Sequence, residues 1–311
     1  MPQSEHAVKC IVPGSLLAIR TVGDLTGINP VTLRAWERRY NLITPLRTPK
    51  GHRLYTENDV ELIKQVLDFL DQGISISQVK PLLEQAPSQQ QAAPFAEAGE
   101  VWKRYQQTML SAVEKFDENV LDSTYNDALS LYPVDVVNQR LVAPLLRIIG
   151  ERWKEREVGI AEEPFFSVYL RNKLGSRIHL LNQRSRGPRL ILACLRGEYL
   201  EIGLLLFALS TVNFGYRVLI LGSNTPLDQI PHVLKKRPCD GIVLSGSARP
   251  SRGLFESELP VLVKQCPIPI FVGGRTAAKH QQKIADAGAI CLGESISSGL
   301  KSMGQRLKGG S

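Results

Sequence analysis

The spacing of hydrophobic positions divides the chain into stretches with different periods. Residues 15–85 carry short helical patterns, such as Val60, Ile63, Val66, Leu67 and Leu70 on one face of a segment that opens at Thr56 with Asp59. Residues 86–99, with Pro87, Pro94 and three consecutive glutamines, have no period and read as a linker. Residues 100–182 hold four longer helical patterns, at 101–111, 116–131, 134–152 and 164–181, whose short connections predict a four-helix bundle. From 188 to 311, apolar β-rich runs at 190–194, 217–221, 241–244, 268–272 and 289–292 alternate with segments of helix length. Such alternation predicts a flavodoxin-like α/β domain, a doubly wound parallel sheet buried on both faces. The fold class is therefore multidomain, with the three parts at 15–85, 100–182 and 188–311.

The first part has its own local logic. Thr21 is placed to cap a short helix that Gly27 stops, while Asn29 caps and Pro30 opens the next one. Two short helices about a glycine turn form a helix-turn-helix, and the run Arg47-Thr48-Pro49-Lys50-Gly51-His52-Arg53-Leu54-Tyr55 reads as a basic hairpin wing. Between Pro30 and Arg53 stand Arg34, Arg38, Arg39, Arg47, Lys50 and Arg53 against one acidic residue, Glu37. A patch of that sign attracts phosphate backbones through counterion release. From the second helix Thr32, Arg34 and Arg38 can reach base edges, and from the wing Arg53 and Tyr55 can grip phosphate or sugar.

This region resembles the N-terminal domain of the MerR family of transcription regulators over residues 17–85. The run Leu33-Arg34-Ala35-Trp36-Glu37-Arg38-Arg39-Tyr40 and the wing Gly51-His52-Arg53-Leu54-Tyr55 both stand where that family has them. The resemblance implies a homodimer on a palindromic promoter element in double-stranded DNA, working with RNA polymerase. It puts Arg34 and Arg38 in the groove and Arg53 and Tyr55 in the wing, with His52 as a DNA or structural contact and no metal ligand.

Composition refines this picture. The 311 residues suffice for two or three domains, a hydrophobic content of 43% suffices for buried cores, and the net charge of +8 suits an anionic partner. No apolar run approaches the roughly 20 residues that span a bilayer, and the N-terminus carries no basic-then-apolar signal, so a cytoplasmic location is expected with no membrane partner. The five cysteines, Cys10, Cys194, Cys239, Cys266 and Cys291, show no close pairing. They read as reduced core residues, and the absence of cysteine between 56 and 193 disfavours a sensor of soft metals.

Ligands of doubly wound sheets bind beyond the carboxyl ends of the strands, which directs attention to residues 196–203, 222–226, 245–252 and 273–276. There Glu198, Glu201 and Gly203 keep the frame of an E-x-H-x-x-G loop, Ser245 and Ser247 follow the third strand, and Gly273 and Gly274 are paired. These positions, with the helical stretch before them, are similar to the sensory half of cobalamin-dependent MerR-type photoreceptor regulators, and the resemblance covers nearly the whole chain. Two departures matter. The residue that resemblance assigns to the lower face of cobalt is Leu200, and in a W-x9-E-H frame Trp153 and Glu163 are followed by Pro164 in place of histidine. Leucine and proline side chains offer no lone pair to a metal. The expectation is thus a cofactor-free regulator. Its alternative is cobalamin held without a protein histidine, by the glycine and serine loops.

A similar loss of ligands in the MlrA-like group of regulators implies a domain that binds a regulatory protein partner. The residues also leave open a phosphate-bearing effector, because Arg249 and Arg252 join Ser245, Ser247 and Ser251 at a strand's carboxyl end, where an ordinary surface loop is the plain alternative. No G-x-S-x-G elbow, H-E-x-x-H helix or Walker loop is found, so catalysis is not expected.

Overall fold

A computed structural model describes residues 16–26, 28, 30–72, 74–84, 94–152 and 161–308. Gly27, Asn29 and Trp153, to which the sequence assigns roles, lie outside the described residues. The chain forms two compact units that divide between Ile148 and Ile149.

The first unit opens with β1 (Leu17–Ala18) and α1 (Ile19–Thr26). Thr21 therefore lies inside the first turns of α1 and is not its cap. Helix α2 (Pro30–Ala35) begins at Pro30 as expected and continues into a π-helical turn, Trp36–Tyr40, closed by Asn41 in the left-handed conformation. The wing is β2 (Leu46–Arg47) with β3 (Arg53–Tyr55). Its turn places Pro49 after Thr48, whose carbonyl accepts from Gly51 at 2.8 Å, and Gly51 takes φ 79°, which glycine adopts without strain. Strand β1, absent from the sequence reading, makes β3 the central strand in the order β1-β3-β2. Helix α3 (Glu57–Asp71) starts with a capping box in which Thr56 and Asp59 satisfy each other's backbone N–H groups, and α4 (Ile76–Glu84) follows.

Beyond these come α5 (Pro94–Glu114), α6 (Glu118–Leu131), α7 (Val134–Val137) with a π turn over Asn138–Val142, and α8 (Ala143–Arg152). Helix α5 starts within the stretch read as a linker, so residues 94–99 are helical. Helix α6 is capped by Asp117, whose carboxylate accepts from Val120 N at 3.1 Å. Buried Met109, Leu121, Tyr125, Leu141 and Leu145 fill the space among these helices.

The second unit holds α9 (Glu162–Asn182), β4 (Arg189–Cys194), α10 (Ile202–Asn213), β5 (Arg217–Gly222), α11 (Ile230–Lys236), β6 (Gly241–Ser245), α12 (Leu259–Gln265), β7 (Ile270–Gly273), α13 (Arg275–Lys279), α14 (Gln281–Asp286), β8 (Ile290–Gly293) and α15 (Ile296–Lys308). The five strands run parallel in the order β5-β4-β6-β7-β8, the flavodoxin-like sequence with its reversal between β4 and β6. Alternate residues of β4 serve opposite faces. Ile191 and Ala193 join Leu227, Ile230, Ile242 and Leu244 in one core, while Leu190, Leu192 and Cys194 are equally buried on the other. Edge strand β5 is shielded by Asn182, whose side-chain amide donates to Val218 O at 2.9 Å and accepts from Val218 N at 2.8 Å, standing in for a neighbouring strand. Among the described residues, no helix is long and apolar enough to cross a membrane.

Candidate nucleic-acid interface and sheet-end site

On α2 and the turn that follows, the residues divide by helical spacing. Thr32, Ala35 and Trp36 share one face and are buried, while Arg34, Arg38 and Arg39 face outward and are exposed. Arg34 and Arg38 have no ion pair among the described residues, so their guanidinium groups stand ready for an anionic partner. This geometry corrects two expectations. Thr32, at 2% exposure, faces the interior and cannot reach a base edge. Tyr55, at 1% exposure, points into the domain because β1 pairs with β3 and registers Leu17 opposite it. Its hydroxyl finds no hydrogen-bond partner among the described residues, and burial pushes its pKa upward.

The acidic residue inside the basic patch proves to be its organiser. Glu37 accepts a hydrogen bond from Arg47 Nη2 at 2.6 Å and a shorter one from Arg53 Nε, tying both wing strands to the recognition segment. Burial alone would raise the Glu37 pKa, yet hydrogen bonds and charge from Arg53 and Arg47 outweigh it and hold the carboxyl below its ordinary value. Arg53 is thereby committed inside the protein through Nε, which makes it a positioning residue first. His52 remains exposed at the wing tip, its backbone N–H donating to Thr48 Oγ1 at 3.0 Å. A lone Glu among six basic residues was the sequence signal for this role, and it went unread.

At the carboxyl end of the sheet, the loops after β4 and β6 are locked together by one side chain. Glu198 is 5% exposed, and its Oε2 accepts from Ser247 N and Ser247 Oγ, both at 2.6 Å, and from Ala248 N at 2.8 Å. Its neighbour Glu201 pairs with Arg171 of α9 at 2.7 Å. Leu200, by contrast, is 57% exposed, beside exposed Tyr199. Gly203 has open space around it, so nothing in its surroundings requires glycine there. Glu163 accepts from Ser167 Oγ at 2.9 Å within α9, and Pro164 is exposed in the first turn of that helix.

The third element of this end is a close backbone crossing. Gly274 takes φ 88°, and a Cβ there would stand 2.5 Å from Gly246 O; a Cβ on Gly246 would meet Leu195 Cδ1 at 2.6 Å and Thr276 Oγ1 at 2.9 Å. Leu195 and Thr276 therefore fill the space between the ends of β4, β6 and β7. Ser245 closes the same region through its carbonyl, which accepts from Leu195 N at 2.8 Å, and Gly273 through its own, which accepts from Gly246 N at 3.2 Å. Cys194 lies beneath, where burial, followed by the charges of Glu198 and Glu201, pushes its thiol up to about 12 and keeps it protonated. Among the described residues no cluster of three His, Cys, Asp or Glu side chains could hold a metal ion. The donor set here is carboxylate, hydroxyl and backbone, each turned on its own chain, and it does not fit a cobalt ligated by the protein.

Comparison with known proteins finds two family matches. Residues 17–86 match the model of the MerR HTH family regulatory protein, and residues 105–177 match that of a B12 binding domain. The chain is similar to the HTH-type transcriptional repressor CarH of Myxococcus xanthus, with 34% identity covering 85% of this chain and 90% of that protein. It is similar to the HTH-type transcriptional regulator MlrA of Escherichia coli at 34% identity, over 42% of this chain and 52% of that one. Among solved structures, the monomethylamine corrinoid protein of Methanosarcina barkeri aligns with a TM-score of 0.50 at 16% identity, covering 65% of this chain and 97% of that chain, a likeness of fold alone.

Proposed function

This chain belongs to the MerR family of helix-turn-helix transcription regulators that carry a B12-binding domain, and from that premise we propose that it reads a palindromic promoter as a homodimer, while its C-terminal unit answers to a protein partner without a cobalt-ligating histidine. The observation that carries the DNA reading is the outward row Arg34, Arg38 and Arg39 beside a wing that Glu37 holds in place. Arg34 and Arg38 lie one turn apart, the spacing for adjacent base edges in a major groove. The layout we propose keeps the three parts expected from the sequence, at 15–85, 100–182 and 188–311, although the two compact units divide inside the second of them, between Ile148 and Ile149. The unit acts in the cytoplasm with RNA polymerase and supplies no catalytic step.

For the C-terminal unit, the support is the self-contained sheet end. Glu198 spends its carboxylate on Ser247 and Ala248, while the exposed pair Tyr199 and Leu200 offers an apolar surface to another protein. The second reading is favoured by one finding, the B12-binding-domain match over 105–177. Under it, cobalamin is held by the glycine and serine loops alone.

Two experiments decide these points. An operator selected from random duplexes is titrated with the parent protein and with Arg34→Ala and Arg38→Ala. Each variant is expected to lose about tenfold in preference over scrambled duplex, the size of one bidentate base contact. Unchanged preference in both would remove the groove assignment. Separately, the purified protein is mixed with adenosylcobalamin in the dark and desalted. Loss of all corrin absorbance is expected, and retained absorbance would establish the second reading.

A further inference from the structure

The inward face of the recognition segment is not packed only on its own domain. Trp36 is fully buried, and its indole N–H donates to the carbonyl of Leu131 at 2.7 Å, although the two residues are 95 positions apart. Leu131 ends α6, where the last carbonyls of a helix lack intrahelical partners, so the indole satisfies a group that otherwise needs water. Two more links follow the same line. The backbone N–H of Ile76, at the start of α4, donates to the Tyr132 hydroxyl. Arg39 Nη1 lies 3.8 Å from Asp127 Oδ1, and the other oxygen of Asp127 is fixed by the Tyr105 hydroxyl at 2.6 Å. Tyr105 and Tyr132 both pack tilted against Trp102, at 5.9 and 4.5 Å between ring centroids, so the acceptor for Arg39 rests on an aromatic block.

Helix α6 carries Glu118, Asp122 and Asp127 and no lysine or arginine, the opposite charge to the surface it borders. A carboxylate and a phosphate oxygen are interchangeable acceptors for a guanidinium, and a DNA phosphate approaching Arg39 also meets repulsion from Asp127. We propose that α6 is a built-in competitor of DNA. Trp36 holds it against the reading helix, Tyr132 at its end ties it to α4, and Asp127 occupies Arg39 as an internal stand-in for phosphate, so that any event displacing α6 raises DNA affinity. This rests on the DNA-reading assignment above. The Arg39–Asp127 pair is half-exposed on both sides, which makes it weak enough to bias binding without preventing it.

The test uses the full-length protein and a labelled duplex of mixed sequence, followed by fluorescence anisotropy at low and high salt. Asp127→Asn keeps an acceptor for Tyr105 and removes only the charge; it should bind about threefold more tightly at low salt, the size of one exposed ion pair, with the gain shrinking at high salt. Asp122→Asn makes the same charge change on the same helix at a residue that pairs with Asn126, and should gain less than half as much. If Asp127→Asn is no tighter than the parent, or Asp122→Asn matches it, the competitor role is overturned while DNA reading stands. If no form binds the duplex, the DNA-reading assignment falls and takes this proposal with it.

Discussion

Two carboxylates, Glu37 and Glu198, organise the two ends of this protein in opposite ways. Glu37 gathers Arg47 and Arg53 yet leaves Arg34 and Arg38 exposed, so the reading surface keeps cationic groups available to a partner. Glu198 gathers backbone N–H groups and a hydroxyl from its own chain, and what it leaves exposed is apolar, Tyr199 and Leu200. The first arrangement pre-positions charge for a ligand that brings the opposite sign. The second satisfies its carboxylate from within its own chain. A buried group that must be paired can therefore either build a site or fill one, and the partners it chooses tell which.

The largest effect should come from breaking the second arrangement. Glu198→Ala would orphan the Ser247 and Ala248 amides and the Ser247 hydroxyl in a buried setting, at a cost of about 3 kcal/mol. For a unit of this size that corresponds to a fall of about 10 °C in its Tm. Calorimetry should find the loss confined to the second unit, and a change below about 2 °C would mean that Glu198 does not hold the two loops together. Glu198→Gln, which keeps one acceptor, should lose roughly half as much.

Breaking the first arrangement should cost less. Glu37→Gln removes the charge that Arg47 and Arg53 share in a partly exposed setting, which costs about 1–2 kcal/mol after allowance for solvent. The pH dependence has a definite sign. The Glu37 carboxyl is held below its ordinary value of 4.5, so its stabilisation is complete above that value and lost as pH falls through the lower folded one. The parent's first unit should lose stability on the acid side by an amount that Glu37→Gln does not show. If the two curves coincide, the wing is held by something other than Glu37.

Much of this contrast was legible in the sequence, and what was missed has physical causes. All five strands of the sheet were placed within two residues, because apolar runs in a buried parallel sheet are continuous and bounded by Gly, Pro and charged residues. The wing turn was equally plain from Pro49 and Gly51. The errors concern direction. Thr32 was assigned outward by its chemistry, although it shares the i, i+3, i+4 face with Ala35 and Trp36, a spacing that was available to overrule it. Tyr55 could not be oriented without β1, a two-residue strand too short to leave a period. Segment 94–99 turned helical despite its proline, because Pro94 sits at the first helical position, where a missing N–H costs nothing. Nothing local announces that Trp36 meets Leu131, since long-range pairing leaves no spacing to read.

The smallest expected effect is the sharpest test of the contrast. If the sheet end lacked cobalt ligation only because one imidazole is missing, Leu200→His would restore it. The geometry argues otherwise. An exposed side chain at 200 gains no orienting partner, because Glu198, two residues before it, already spends Oε2 on three donors and Oε1 on the Leu200 N–H at 3.4 Å. Leu195 and Thr276 meanwhile fill the space against Gly246. Leu200→His should therefore retain no more corrin absorbance after desalting than the parent does. Retention in Leu200→His alone would show that the closure is superficial, whereas retention only in the pair Leu200→His with Leu195→Ala would show that filling, together with the lost ligand, shuts the site.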